Sequence, residues 1–330
     1  ATAEVDLGLV KMAMGNYTEA KKNGFNASAI SKEIGDPELI RRSYGLLSKV
    51  FLNENNLPEA EKHMLEVLKV CNKGVIVNFP VMSEKEQENY FNAMLPEFMA
   101  FNSLALLSKE MNPSITETVF NSAVRNKGLL LKSSSAMRNS ILNSKDSLLI
   151  ARYQDWITLK KQISKLYSEG KEATPLEERS DVLEKELVKS SQAFSSFDKA
   201  QKITWKDVQG GLKKGEAAIE FIHFTNDPKN TGTSEIIYCA LIVRPESKHP
   251  EMIRLCSGKD LEDLMGKSKE TGFGYINALY GTNNNPNTHL YSLIWEPIEK
   301  YLAGCKSIYI SPSGLLYKIS FSTLCKTKNV

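Results

Sequence analysis

The sequence predicts a multidomain chain that is α-helical first and α/β after, and two observations carry that prediction. Residues 1 to about 200 read as helix after helix, whereas β-branched and aromatic runs bounded by Gly, Pro and Asn begin only after Trp205. Within the helical part, Gly15-Asn16-Tyr17-Thr18-Glu19-Ala20 lies over Asn55-Asn56-Leu57-Pro58-Glu59-Ala60, an internal repeat with a period of 40 residues. The expected organisation is helical repeats over residues 1–80, a helical connector over 81–200 and the first part of an α/β domain over 201–330.

Composition suits a folded protein: of 330 residues 42% are hydrophobic and 25% charged. A net charge of +3, from 42 basic and 39 acidic residues, gives no one-signed field to draw in nucleic acid or an anionic membrane. No window approaches 18 uncharged apolar residues, and ATAEVDLGL lacks the basic start and apolar core of a signal peptide. The five cysteines, Cys71, Cys239, Cys256, Cys305 and Cys325, are odd in number and lack CxxC spacing, as reduced thiols of a cytoplasmic protein would be. The sequons at Asn16 and Asn26 are short patterns that arise by chance.

Each copy of the repeat has an apolar helix before its turn, with Leu7, Gly8 and Val10 in the first and Tyr44, Leu47, Val50 and Phe51 in the second. After the second turn Leu57, Ala60, Met64, Val67 and Leu68 fall at i, i+3, i+7, i+10 and i+11, one apolar helical face. Ala20 and Ala60 stand where the two helices of a hairpin cross, and a large side chain there would overpack the contact by about 1–3 kcal/mol. This pattern resembles the tetratricopeptide repeat (TPR), whose usual period is about 34 residues. Gly8, Ala20, Leu47, Phe51 and Ala60 are then the repeat-packing positions, while Lys11 and Gly24 depart from the motif.

The connector is expected to hold a helix from Lys85 to Lys109 kinked or split at Pro96 and a helix from Thr116 to Leu131. A Ser-rich bend, a polar connection from Ser168 to Arg179 and a solvated charged face from Leu176 to Lys189 follow. Beyond Trp205, Ala217 to Thr225 and Ser234 to Val243 read as a hairpin, and Met252 to Leu255 as a third strand. Then come a helix from Asp260, a Gly/Asn-rich loop from Lys269 to Pro286 and a helix from His289 to Leu302. The apolar run Ser307 to Ser311 closes the series as a buried strand of a mostly parallel sheet.

The stretch Leu290 to Leu324 carries a second resemblance. A helix with Tyr291, Trp295 and Pro297, the strand Ser307 to Ser311, the turn Pro312-Ser313-Gly314 and the apolar-aromatic run Leu315 to Leu324 resemble the CHAT domain, a caspase-like cysteine peptidase found behind TPRs. Asn121 to Leu142, with Lys127-Gly128-Leu129-Leu130-Leu131 and then the serines, resembles the same family. The resemblance implies a TPR-like helical-hairpin solenoid followed by a partial caspase-like α/β sheet domain. It also implies a parent peptidase with a downstream Cys-His dyad, activated by a protein partner in the repeat groove and acting on a protein substrate in bacterial defence or cell-fate responses.

The residues in hand offer no such dyad. His63 reads as a surface residue, His223 as a satisfied histidine of an apolar strand, His249 as part of a turn and His289 as the opening of a helix. Cys325 belongs to the segment after the Pro-Ser-Gly turn, ahead of the family's catalytic His; Cys239 and Cys256 read as core thiols, Cys71 as the end of a repeat helix and Cys305 as a helix end. Gly210-Gly211 to Gly215 lacks the order of a phosphate loop, Gly272-Phe273-Gly274 lacks a dinucleotide fingerprint, and nothing has metal-ligand spacing. The expectation is therefore a sensor and scaffold with no catalytic, cofactor-binding or metal residue, its dyad lying beyond Val330. The alternative is a TPR protein-binding module or pseudo-protease.

Overall fold

The computed structural model describes residues 1–190, 202–229, 232–266, 272–282 and 285–326. Among the described residues nine α-helices lead: α1 (Thr2–Ala13), α2 (Tyr17–Ile34), α3 (Pro37–Asn53), α4 (Leu57–Asn78), α5 (Glu84–Ser108), α6 (Ile115–Asn126), α7 (Leu129–Asn143), α8 (Ser147–Ser168) and α9 (Thr174–Ser190). A short α10 (Trp205–Gly211) opens the α/β part. The strands are β1 (Glu216–Asn226), β2 (Glu235–Val243), β3 (Glu251–Ser257), the two-residue pair β4 (Gly281–Thr282) and β5 (Asn285–Pro286), and β6 (Ser307–Ser311). Between them lie α11 (Gly258–Gly266), α12 (Phe273–Tyr280) and α13 (Glu296–Glu299). By contacts the chain falls into two compact units, one of Ala1–Leu47, Lys62–Glu97 and Arg125–Ile203, the other of Ser48–Glu61, Phe98–Val124 and Thr204–Val330.

The turns before α2 and α4 close with the same hydrogen bonds. Gly15 and Asn55 both sit in the left-handed region, at φ 75° and 61°, which glycine enters freely and asparagine more readily than most residues. The next residue returns its N–H five positions back, Asn16 to Lys11 and Asn56 to Phe51, each at 2.9 Å, and so occupies a carbonyl that the helix end leaves open. Asn16 and Asn56 then cap the following helix, their side chains accepting the N–H of Glu19 at 3.2 Å and of Glu59 at 3.3 Å.

In the first unit Ala20, Ala27, Leu46 and Leu47 are buried. A Cβ on Gly24 would stand 2.7 Å from Leu47 Cδ2, and one on Gly8 would collide with Leu46. Gly24→Ala is therefore expected to destabilise the unit by about 1–3 kcal/mol of overpacking, more than the helix propensity it gains. Gly45→Ala meets nothing within 4 Å and is expected to stabilise by about 0.5–1 kcal/mol. Urea midpoints of the two variants check both signs.

Several expectations change for physical reasons. His63 is buried, its ring 5.9 Å from Phe25 and 5.6 Å from Tyr44, because aromatic partners distant in sequence enclose it. The helix expected from Thr116 to Leu131 ends at Asn126, and Gly128, at φ 67°, makes the break. The Ser-rich stretch is not a bend but the body of α7, anchored by buried Leu129, Met137 and Ile141. Pro96 does not split the helix, since α5 runs from Glu84 to Ser108 with the proline inside it. The charged helix α9 has a buried face of Ser180, Glu184 and Leu187, and it starts at Thr174, inside the expected connection. Leu187 packs with Trp156, Tyr153 and Leu149 of α8.

In the second unit the sheet order is β3-β2-β1-β6, with β1–β2 and β2–β3 antiparallel and β1–β6 parallel. This small mixed sheet follows the helices, as the order of patterns predicts. β1 and β2 are buried almost throughout, the mark of strands covered on both faces. Ala217, Ile219 and Phe221 of β1 pack with Tyr238, Ala240 and Ile242 of β2 and with Leu290, Ile294 and Ile298 of the segment after β5. β6 is an edge strand, not a buried one: Tyr309 is 57% exposed, since only β1 pairs with it among the described residues. Much of the expected loop from Lys269 to Pro286 folds as α12, with Leu279 buried and Tyr275 and Tyr280 against the core; residues 267–271 and 283–284 lie outside the described residues.

Candidate functional site

β1 and β6 run parallel from the pair Glu216↔Ser307 to Glu220↔Ser311, and the chain leaves β6 through Pro312-Ser313-Gly314. In α/β sheets the carboxyl end of parallel strands is where ligand sites form. The turn meets two side chains there, His223 of β1 and its cross-strand partner Tyr238 of β2. Their rings stack at 5.5 Å and 20°. Ser313 Oγ lies 2.6 Å from His223 Nδ1, and the Leu315 N–H donates to the Tyr238 hydroxyl at 3.0 Å. Gly314 sits between them at φ 55°, and a Cβ on it would stand 2.6 Å from Tyr238 Oη and 3.2 Å from His223 Nδ1. Glycine is required there twice, for its backbone angle and for the close approach. Buried Leu316 follows the turn into the core. Burial raises the Tyr238 phenol above its ordinary range, outweighing the Leu315 N–H that favours its ionised form.

A serine hydrogen-bonded to an imidazole is the arrangement by which a base takes a hydroxyl proton. Acyl transfer also needs amide donors for the oxyanion, and here the N–H of Leu315 is already given to Tyr238. The arrangement works as a clamp that fixes the exit from β6.

The other histidines lie elsewhere. His249 Nδ1 is 2.6 Å from Glu117 Oε1, at the wall of a cleft of about 580 Å³ that also bears Lys109, Arg244 and Lys300. His289 is exposed at a helix start, its N–H bonded to Asn287 Oδ1 at 3.0 Å. His63 belongs to the first unit. Sequence reasoning missed the Glu117–His249 pair, whose members stand 132 positions apart.

Cys71, Cys239 and Cys256 are buried, and desolvation pushes their thiols up to about 12, 12 and 11. Cys71 lies within α4, which continues to Asn78. Cys305 and Cys325 are half-buried. Alkylation with iodoacetamide at pH 8, read by mass spectrometry, is expected to label Cys305 and Cys325 first and the other three only as the protein unfolds. Gly210 and Gly211 end α10, and Gly215, at φ 82°, turns the chain into β1. Gly272-Phe273-Gly274 opens α12. Among the described residues no group of three or more His, Cys, Asp and Glu could hold a metal ion, and no helix is long and apolar enough to cross a membrane.

No family model, curated protein or solved structure matches the chain.

Proposed function

We propose that this chain is the sensor and scaffold portion of a TPR-CHAT caspase-like cysteine peptidase, with the Cys-His dyad on a segment downstream of Val330. The observation that carries the reading is the clamped Pro312-Ser313-Gly314 turn at the carboxyl end of the parallel β1–β6 pair. One motif of the resemblance thus stands at the carboxyl end of a parallel pair, where α/β sheets form ligand sites, and that supports the reading. The helical hairpins supply the partner-binding half, and a bound protein partner switches on cleavage of a protein substrate.

A peptide-library digest tests this. The isolated chain is expected to show no turnover. The chain extended through the codons after Val330 is expected to show turnover that disappears when the downstream cysteine is replaced by alanine. Turnover by the isolated chain, or an extension with no histidine and no cysteine, would overturn the reading.

A further inference from the structure

A second cleft, of about 440 Å³, lies within the first unit, walled by α5, α8 and α9. Its charged lining is lopsided. Glu84 and Glu88 stand one turn apart on α5, Glu177 and Asp181 one turn apart on α9, against two lysines, Lys85 and Lys160. Like charges at that spacing weaken a helix, so both pairs cost the fold something. Lys160 relieves them only in part, at 4.0 Å from Glu84.

Two features inside the cleft point to a ligand. Ser180 lines it at 2% exposure, and its Oγ has no hydrogen-bond partner among the described residues. Buried hydroxyls are rarely left so. Tyr167 also lines the wall, 56% exposed, its hydroxyl held by Glu177, so that an aromatic ring, a group that attracts cations, stands beside the carboxylates. Behind them Glu184 is buried and accepts the Glu84 N–H at 2.9 Å. Its carboxyl is pushed up chiefly by burial and further by Glu84 and Asp181.

We propose that this cleft binds an organic cation, a guanidinium or primary ammonium group, with the Glu84/Glu88 and Glu177/Asp181 carboxylates around the charge and Ser180 Oγ accepting one of its protons. That head group could arrive on an arginine or lysine side chain or on a polyamine.

Calorimetric titrations of the whole chain with spermidine and with an acetylated, amidated Gly-Arg-Gly peptide separate the two sources, against sodium chloride of equal ionic strength. Saturable binding of the peptide alone marks a protein partner, and of spermidine alone a small metabolite. Binding of both shows that the head group suffices. Glu88→Gln with Asp181→Asn is expected to weaken whichever binds by about tenfold without lowering the thermal midpoint, since each substitution relieves a like-charge pair. Saturable binding is expected to tighten as the pH rises from 6 to 8, because the cation expels the Glu184 proton, and Glu184→Gln should remove that trend. Glu84, Asp181 and Lys160 are the charged groups coupled to Glu184. Heats no larger than those of sodium chloride for both probes, or binding unchanged in the double variant, would overturn the proposal.

Discussion

The chain is expected to lose stability as the pH rises from 5 to 8, and Glu184→Gln is expected to remove most of the loss. The Glu184 carboxyl is pushed up to about 7, first by burial and then by Glu84 and Asp181, against the opposing pull of the Glu84 N–H and Lys160. An unfolded glutamate releases its proton near pH 4.3. Between those values the folded state holds a proton that the unfolded state has given up, so stability falls as the pH rises from about 4.3 and the advantage is gone once the pH passes about 7. At 1.36 kcal/mol per unit the full swing is about 4 kcal/mol, of which about 3 kcal/mol falls between pH 5 and 8. Glutamine keeps a carbonyl for the Glu84 N–H and has no charge to bury. Urea melts at pH 5 and pH 8 check this: the variant should match the parent at pH 5 and exceed it at pH 8. Equal losses in both proteins would show that Glu184 is not the group responsible.

Gly314→Ala is expected to have a second large effect, about 2–5 kcal/mol. Alanine in the left-handed region costs about 1–2 kcal/mol, and its Cβ would stand 2.6 Å from the Tyr238 hydroxyl, adding about 1–3 kcal/mol of overpacking. Tyr238→Phe alone leaves the Leu315 N–H without its acceptor, at about 1–3 kcal/mol. With the hydroxyl gone the alanine fits better, so the double variant should be more stable than the sum of the single losses predicts. That non-additivity, measured as a double-mutant cycle, separates the clamp from two unrelated defects.

What the sequence made legible is what local chemistry decides. The turns at Gly15-Asn16 and Asn55-Asn56 are visible because a left-handed residue followed by an asparagine cap is written in adjacent letters. The order of helices and then sheet follows from a change of hydrophobic period, and the β1–β2 hairpin from two apolar runs around Asn226 to Thr233. The turn at Pro312-Ser313-Gly314 was likewise found by its letters.

Its reason was not legible. Tyr238 lies 77 positions before Leu315, and nothing near Gly314 announces the hydroxyl that excludes a side chain. The same distance hid the burial of His63, whose enclosing rings come from α2 and α3. β6 reads as a core strand because Ile308 and Ile310 are apolar, yet pairing partners, not composition, decide which strand is the edge. In α9 the buried face alternates Ser180 and Glu184 with Leu183 and Leu187, so helical spacing was present but half of it was polar. Met137 and Ile141, one turn apart, were a signal for α7 that its serines masked.

The most direct test of the account is peptide turnover by the isolated 330-residue chain beside the chain extended through its downstream codons. The account predicts no cleavage by the first and cysteine-dependent cleavage by the second. Cleavage by the isolated chain that vanishes with Cys305→Ala or Cys325→Ala would contradict it, because the nucleophile would then lie within these residues.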